Sequence, residues 1–261
     1  MNEFAYKKPN ELRLLFRNNK LEEPTIGMAL GYIQVNLAMF PSKYFSAFQE
    51  FSRKNIKSCP LIEITNPGEC RLKKLAKNCD LRTDIPRYSI YQYGKLIEEQ
   101  PDILKWYRED LVSFLLGSAV SVDEILLKEN IHLKHVDGKR NVALFNTNIR
   151  CKPVYPFNGN ITVAMRPIAS KDIEKVYELS EKYVFANGKP LHFGEPEKIG
   201  IKDISKPDYG DPIRIKQDET PVFWSCGVTV HAVIAQSGLE FAITHSPGYL
   251  LITDIKCSDI I

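Results

Sequence analysis

The chain has 261 residues, of which 35 are basic and 32 acidic, and its formal net charge is +3. So small a positive excess does not indicate a nucleic-acid partner, and no apolar run approaches the roughly 20 residues that a membrane-spanning helix needs. The N-terminal residues mix charges throughout, so no secretory signal is predicted and the protein is expected to be cytoplasmic. Its six cysteines show no Cys-x-x-Cys spacing, which favours free and mostly buried thiols.

The first predicted elements alternate between helix and strand. An amphipathic helix near the N-terminus is followed by a Pro/Gly-rich loop, after which residues 32–39 are typical of a strand. Apolar residues alternate along this strand with Gln34 and Asn36, so both amides lie on one face. That face either lines a polar site or meets solvent. A helix beginning at Pro41 and a strand over residues 61–65 come next.

The middle of the chain is predicted to begin with a hairpin at residues 88–98, a helix at 102–116 and a second helix from 121 onward. A second hairpin at 131–145, a strand at 161–166, a helix at 171–183 and a loop at 188–212 follow. The second hairpin would turn at Asp137-Gly138. This order predicts an α/β (mixed α+β) class, with a compact unit of interleaved helices and mixed sheets in two intertwined subdomains. One domain over residues 1–261 is expected, with a strand-rich inserted subdomain at about 118–190.

A segment near the C-terminus indicates a small-molecule site. One short apolar run ends at Cys226 and Gly227, and a second ends at Thr244 and His245. Strand ends that meet a thiol, hydroxyls and an imidazole are where α/β proteins usually bind ligands. A helix is predicted between the two runs, over residues 229–237, and the N–H groups at its start would favour an anion.

Motifs of several common enzyme classes are absent from the sequence. It contains no phosphate-binding loop, no Gly-x-Gly-x-x-Gly fingerprint and no Gly-x-Ser-x-Gly elbow. His132 and His135 fall in a predicted strand, where alternation would place them on opposite faces, so they make poor joint metal ligands. We therefore expect neither a metal nor a cofactor.

Nine segments spread over nearly the whole chain follow, in order, the pattern of one known family. They are residues 31–37, 59–63, 80–88, 111–117, 140–142 with 147–149, 165–167, 207–212, 223–229 and 242–248. In these segments the chain resembles the D-glutamate cyclase family, whose bacterial members are named hydro-lyases. The resemblance implies dehydration of D-glutamate to 5-oxo-D-proline. The chain departs from the family pattern at Ser118-Ala119-Val120, where Cys-Ser-Phe is usual, and at Tyr249, where His is frequent.

Lactam formation from glutamate needs a carboxylate clamp, a base for the amine and fixed donors for the developing oxyanion. Candidates for the clamp are Arg82, Arg87, Arg140 and Arg166. Arg166 is favoured because it ends an apolar strand. Arg82 lies between two aspartates, so a clamp and a structural ion pair are equally good interpretations.

Asp84 and His245 are the predicted acid–base residues, and Cys226 is a candidate nucleophile or donor. A buried, unreactive thiol is the other interpretation of Cys226, and it is favoured because free cysteines are usually buried. The predicted substrate-binding set comprises Asn36, Arg82, Asn148, Arg166, Gly227 and Thr244.

The leading hypothesis is a hydro-lyase that acts without a cofactor on a small carboxylate-bearing substrate. The alternatives are a thiol-dependent amidohydrolase using Cys226 and a non-catalytic carboxylate-binding protein. If the site prediction holds, Arg82, Asp84, Arg166 and His245 meet Cys226 in one pocket. No nucleic-acid or membrane partner is expected, and a homodimer is expected only because homodimers are the commonest oligomers.

Overall fold

The computed structural model describes residues 3–138 and 140–259, which contain six α-helices and eleven strands. The helices are α1 (Pro9–Arg17), α2 (Phe45–Lys54), α3 (Val120–Lys128), α4 (Lys134–Asp137), α5 (Ile173–Glu181) and α6 (Thr229–Ser237). The strands are β1 (Tyr32–Pro41), β2 (Leu61–Ile64), β3 (Tyr88–Gln92), β4 (Lys95–Gln100), β5 (Leu111–Gly117), β6 (Ala143–Arg150), β7 (Asn160–Ala169), β8 (His192–Phe193), β9 (Glu219–Ser225), β10 (Ala242–His245) and β11 (Leu251–Lys256).

The strands form two sheets. The larger has seven strands in the order β2-β5-β1-β10-β3-β4, with β11 also paired to β1. The smaller has four strands in the order β6-β7-β9-β8. Every strand pairing in the described residues is antiparallel. The mixed α/β class is confirmed. The rule that ligands bind at the carboxyl ends of parallel strands does not apply to these sheets, because their described strands pair antiparallel.

Strand β1 lies at the centre of the large sheet and is buried on both faces. Leu37 and Met39 belong to the core on one face, while Ala38 and Phe40 belong to the core on the other. The predicted alternation is therefore correct. Gln34 and Asn36 nevertheless do not meet solvent, since they are 3% and 1% exposed.

The helix predicted over residues 102–116 is wrong. Residues 111–117 form strand β5, which pairs with β1 on one side and β2 on the other. All seven of its residues are buried, so both faces of the strand need apolar side chains. A continuous apolar run satisfies helical and extended spacing equally well, which is why periodicity failed here.

The hairpin predicted at Asp137-Gly138 is also wrong. Residues Lys134–Asp137 form the short helix α4, and β6 pairs with β7 instead. The elements around α6 are predicted well: the helix spans Thr229–Ser237 and is followed by Gly238 at φ 61°. Glycine adopts this left-handed conformation without a steric penalty, so it ends the helix.

Candidate active site

Two buried histidines meet where β10 ends and α6 begins. His245 is the last residue of β10, and His231 lies in the first turn of α6. Their ring centroids are 5.2 Å apart, with an interplanar angle of 81°. His231 is 1% exposed and His245 is fully buried. We call these two residues the histidine pair.

The position of His245 follows from a gap in the large sheet. Along one edge of β1, β10 pairs with Ala38 and β11 pairs with Val35, so neither strand reaches Leu37. The Nδ1 atom of His245 fills this gap, 3.3 Å from both the amide nitrogen and the carbonyl oxygen of Leu37. Its Nε2 atom has no hydrogen-bond partner among the described residues.

His231 is oriented by a tyrosine of the large sheet. Its Nδ1 atom lies 2.9 Å from the hydroxyl of Tyr91, and the ring of Tyr209 lies 6.4 Å away between centroids. The Nε2 atom of His231, like that of His245, is buried and unpartnered within the part of the chain that the structure describes. The pair therefore presents two free imidazole nitrogens.

Burial keeps both imidazoles neutral. Desolvation lowers the pKa of His245 to about 4. It also lowers the pKa of His231 well below 6.5, and the neighbouring His245 contributes to this shift. At neutral pH each ring is therefore uncharged.

The depressed pKa of His245 predicts acid-sensitive stability. Between pH 6.5 and about 4 the unfolded state binds a proton at this residue that the folded state does not, so stability is full above pH 6.5 and falls as the pH is lowered. The expected loss from His245 alone is about 3 kcal/mol. Urea unfolding from pH 7 to pH 4 measures it. His245→Asn is expected to flatten this dependence, and an unchanged slope would contradict it. His132→Asn, at an exposed position, serves as the control.

A row of polar side chains leads from the histidine pair to the surface. Thr244 of β10, Ser89 of β3 and Glu99 of β4 are neighbours across the sheet. The hydroxyls of Ser89 and Ser246 donate to Glu99 Oε1 at 3.1 and 2.7 Å. The hydroxyl of Thr244 has no partner among the described residues. Glu99 is partly exposed, so the outer end of this row meets solvent.

Arg87 stands at the outer end of this row. Its Nη1 atom lies 3.3 Å from Glu22 Oε1, and its Nε atom lies 3.8 Å from Glu99 Oε2. The second distance is too long for a hydrogen bond. The Nε atom is buried and unpartnered in the described residues, so the guanidinium retains donor capacity toward the site.

Asn36 and Gly227 lie in direct contact beside the histidine pair. A Cβ atom on Gly227 would come within 2.1 Å of Asn36 Nδ2, so only glycine fits here. The Nδ2 atom donates to the carbonyl of Gly117 at 2.8 Å. The contact brings together two residues of the predicted substrate-binding set. The role of Gly227 is to leave space for the Asn36 side chain.

The start of α6 is not an open anion site. The N–H groups of Thr229, Val230 and His231 donate to the carbonyls of the residues three positions earlier. Cys226, just before the helix, is buried, and burial raises the pKa of its thiol to about 11. Its thiol is therefore protonated at neutral pH. The helix start therefore fixes the position of His231, and these three N–H groups are not free to bind an anion.

Arg166 is held in a buried ionic cluster with Asp123 and His135. Its Nε atom donates to Asp123 Oδ1 at 2.8 Å, and His135 Nε2 lies 2.8 Å from Asp123 Oδ2. The guanidinium also lies over the ring of Trp224, 5.1 Å from its centroid. The Nη1 atom of Arg166 is buried and unpartnered among the described residues, but the charge of the guanidinium is already neutralised by a carboxylate of the chain.

Arg82 and Asp84 occupy a different part of the molecule. Arg82 binds Asp80 through two hydrogen bonds of 2.9 and 2.7 Å. Asp84 binds Arg17 through two of 2.7 Å and lines a cavity of about 680 Å³ that includes neither Arg166, Cys226 nor His245. The expected single pocket is therefore not formed by these residues.

The structure thus divides the predicted set. It brings together Asn36, Gly227, Thr244 and His245, whereas Asn148 is exposed on β6, where it packs beside Gly200. Reasoning from the sequence missed His231, Tyr91 and Glu99. His231 lies inside a correctly predicted helix, but its partner Tyr91 is 140 residues away in the chain, so no local pattern joins them.

Within 3–138 and 140–259, no three His, Cys, Asp or Glu side chains are grouped to hold a metal ion. Across the same ranges no helix is both long and apolar enough to cross a membrane.

The chain is similar to one family model and, over most of its length, to bacterial relatives. A family model described as D-glutamate cyclase matches residues 112–254. A protein of Rhodopseudomonas palustris strain TIE-1 is 45% identical over 236 residues, covering 90% of this chain and 87% of the relative. A protein of Thermoanaerobacter sp. strain X514 is 43% identical over 249 residues, covering 95% and 94%. The names of both begin "Putative hydro-lyase".

Among solved structures, a nitrogen repressor-like protein from Methanococcus jannaschii aligns over 94% of this chain and 97% of its own. The TM-score is 0.38 and the identity 13%, a likeness too weak to carry an argument.

Proposed function

Because the chain belongs to the D-glutamate cyclase family, we propose that it is a hydro-lyase that converts D-glutamate into 5-oxo-D-proline at the histidine pair. The observation that carries this proposal is the pair itself, with two neutral imidazoles 5.2 Å apart and a free Nε2 atom on each. Relatives named as hydro-lyases support the reaction class.

The proton balance of this reaction matches two imidazoles. The amine nitrogen of glutamate forms a bond to the side-chain carboxyl carbon, and the bond from that carbon to one oxygen breaks. The ammonium group loses two protons, and the departing oxygen gains both and leaves as water. In this proposal His245 and His231 each take one proton from nitrogen and return it to oxygen. The free hydroxyl of Thr244 is a donor for the developing oxyanion.

Arg87 is the carboxylate anchor in this proposal. Arg82 and Arg166 each donate a hydrogen bond of 2.9 or 2.8 Å to an aspartate of the chain. Arg87 pairs with Glu22 and Glu99 at the longer distances of 3.3 and 3.8 Å, and its Nε atom is buried without a hydrogen-bond partner among the described residues. In this proposal Arg87, at the outer end of the polar row, binds the α-carboxylate while the amine and the side-chain carboxyl extend toward the histidine pair.

Replacing Arg87 with Gln is expected to raise KM for the substrate by roughly 10- to 100-fold, since a hydrogen bond between charged groups contributes about 1.5–3 kcal/mol. Steady-state kinetics measure this change. Arg82→Gln is the matched control, because it removes the same charge from a side chain locked to Asp80. Equal kinetic effects in the two variants would remove Arg87 from the site.

The reaction is tested by incubating the purified protein with D-glutamate and detecting 5-oxo-D-proline by NMR. The proposal expects product from D-glutamate; its absence would refute the substrate assignment. Binding of D-glutamate without turnover would instead support a carboxylate-binding protein. Release of ammonia from D-glutamine, blocked by alkylation of Cys226, would support an amidohydrolase. No observed contact favours that last reaction, because the Cys226 thiol is buried with a raised pKa.

A further inference from the structure

A second cavity lies between the N-terminal segment and helix α3, outside the histidine pair. Its volume is about 440 Å³, within the range of small-molecule sites. Tyr6, Leu30, Leu127 and Val136 give it an apolar wall, and the charged side chains on its lining are Glu124, Asp137 and Lys128. The cavity therefore offers room for an apolar group beside a carboxylate.

A small inner chamber of about 20 Å³ lies beside this outer cavity. The two share Leu30, Glu124 and Val136 in their linings, so only these side chains separate them. The inner volume suffices for a single water-sized group. Whatever occupies the chamber is the small polar end of a larger molecule or a water.

Gln34 lines the inner chamber with an acceptor that has no donor. Its Nε2 atom donates to the carbonyls of Thr25 and Met28 at 2.9 and 3.1 Å. Two carbonyl partners require a nitrogen at that position, which fixes the orientation of the amide. The Oε1 atom is thus an acceptor, buried and unpartnered in the described residues.

Glu124 supplies a second free acceptor. Its side chain is 15% exposed, and its Oε2 atom is buried and has no hydrogen-bond partner in the described ranges. Its Oε1 atom binds Lys128 at 2.6 Å, but the Lys128 side chain is 70% exposed. Exposed ion pairs of this kind contribute little to the free energy of folding, and their side chains rearrange easily. Gln34 and Glu124 thus both line the chamber, and each has one oxygen without a hydrogen-bond partner in the described residues.

We propose that this cavity binds a primary ammonium ion attached to an apolar group. The ammonium head occupies the inner chamber and donates to Gln34 Oε1 and Glu124 Oε2, and the apolar group packs on Leu30, Leu127 and Val136 in the outer cavity. An ammonium group has three donors and no acceptor, which complements two free acceptors and a carboxylate charge. A carboxylate ligand is excluded by the same two oxygens.

The test is calorimetric titration of the full chain with 2-phenylethylammonium, 2-phenylethanol and 3-phenylpropionate, which share the apolar group and differ in the head. The ammonium ion is expected to bind at least tenfold more tightly than the alcohol, and the carboxylate not at all. Equal binding of ammonium and alcohol would overturn the proposal. No binding of the ammonium ion would also overturn it and would leave a water as the occupant.

Two variants with opposite expected effects sharpen this test. Glu124→Gln should weaken ammonium binding by roughly tenfold, and Lys128→Gln should tighten it severalfold by releasing the carboxylate. Glu129→Gln changes an exposed carboxylate at the end of the same helix and should leave binding unchanged. If Glu124→Gln fails to fold, the Lys128→Gln titration and the ligand series still decide. Weaker or unchanged binding in Lys128→Gln would contradict the proposal.

Discussion

Replacing Asp123 with Ala is expected to lower the free energy of unfolding by about 3–5 kcal/mol, because it leaves a buried guanidinium without its carboxylate. Arg166 is fully buried and Asp123 is 4% exposed. Both oxygens of Asp123 are engaged, one by Arg166 and one by His135. Chemical denaturation of the variant and of the unmodified chain at pH 7 measures the difference.

Two controls separate the ionic cluster from general sensitivity to substitution. Asp110→Ala breaks an exposed ion pair with Arg108 and should change stability by about 1 kcal/mol or less. Combining Asp123→Leu with Arg166→Met should recover most of the lost stability, because apolar residues of similar volume replace buried ion pairs well. A loss below about 1 kcal/mol for Asp123→Ala would show that Arg166 is not neutralised as described.

His245→Asn is expected to reduce turnover of D-glutamate by about 10²- to 10⁴-fold, the range of general acid–base contributions. The amide of Asn can replace Nδ1 in its contacts with Leu37, which lie at 3.3 Å, while Nε2 is removed. The fold should therefore persist while the proton acceptor is lost. Steady-state rates, with circular dichroism as the check on folding, measure the effect.

The matched control is His132→Asn, at a histidine whose side chain is 68% exposed and paired with Asp137. It should retain full turnover. A His245→Asn protein that folds and turns over D-glutamate at the original rate would exclude this residue from the chemistry. Loss of folding instead would be addressed with His231→Asn, which removes the other free Nε2 atom.

The sequence predicts the fold best where local signals act alone. Helix α6 is predicted at both ends because its apolar residues and the left-handed Gly238 that follows it act within a few residues. Strand β5 was missed because its identity depends on β1 and β2, which cover it on both sides. Seven consecutive buried residues carry no alternation from which a strand can be recognised.

The same difference between local signals and long-range contacts explains which residues of the site are predicted from the sequence. His245 and Thr244 were found because they end an apolar strand, a feature visible in a few residues. Arg166 also ends an apolar run, but its partner Asp123 is 43 residues earlier in the chain, on a helix that packs over it. Tyr91 and Glu99 join the site only through strand pairing and the packing of α6. Such long-range contacts are fixed by the tertiary fold.

The initial rate of 5-oxo-D-proline formation from D-glutamate, measured for three proteins in parallel, decides whether the reaction takes place at the histidine pair. These are the unmodified chain, His245→Asn and Cys226→Ala. A reaction at the histidine pair predicts a rate for Cys226→Ala within about twofold of the original and a loss of at least about 100-fold for His245→Asn. The opposite result, with Cys226→Ala inactive and His245→Asn active, would contradict it and place the chemistry at the thiol.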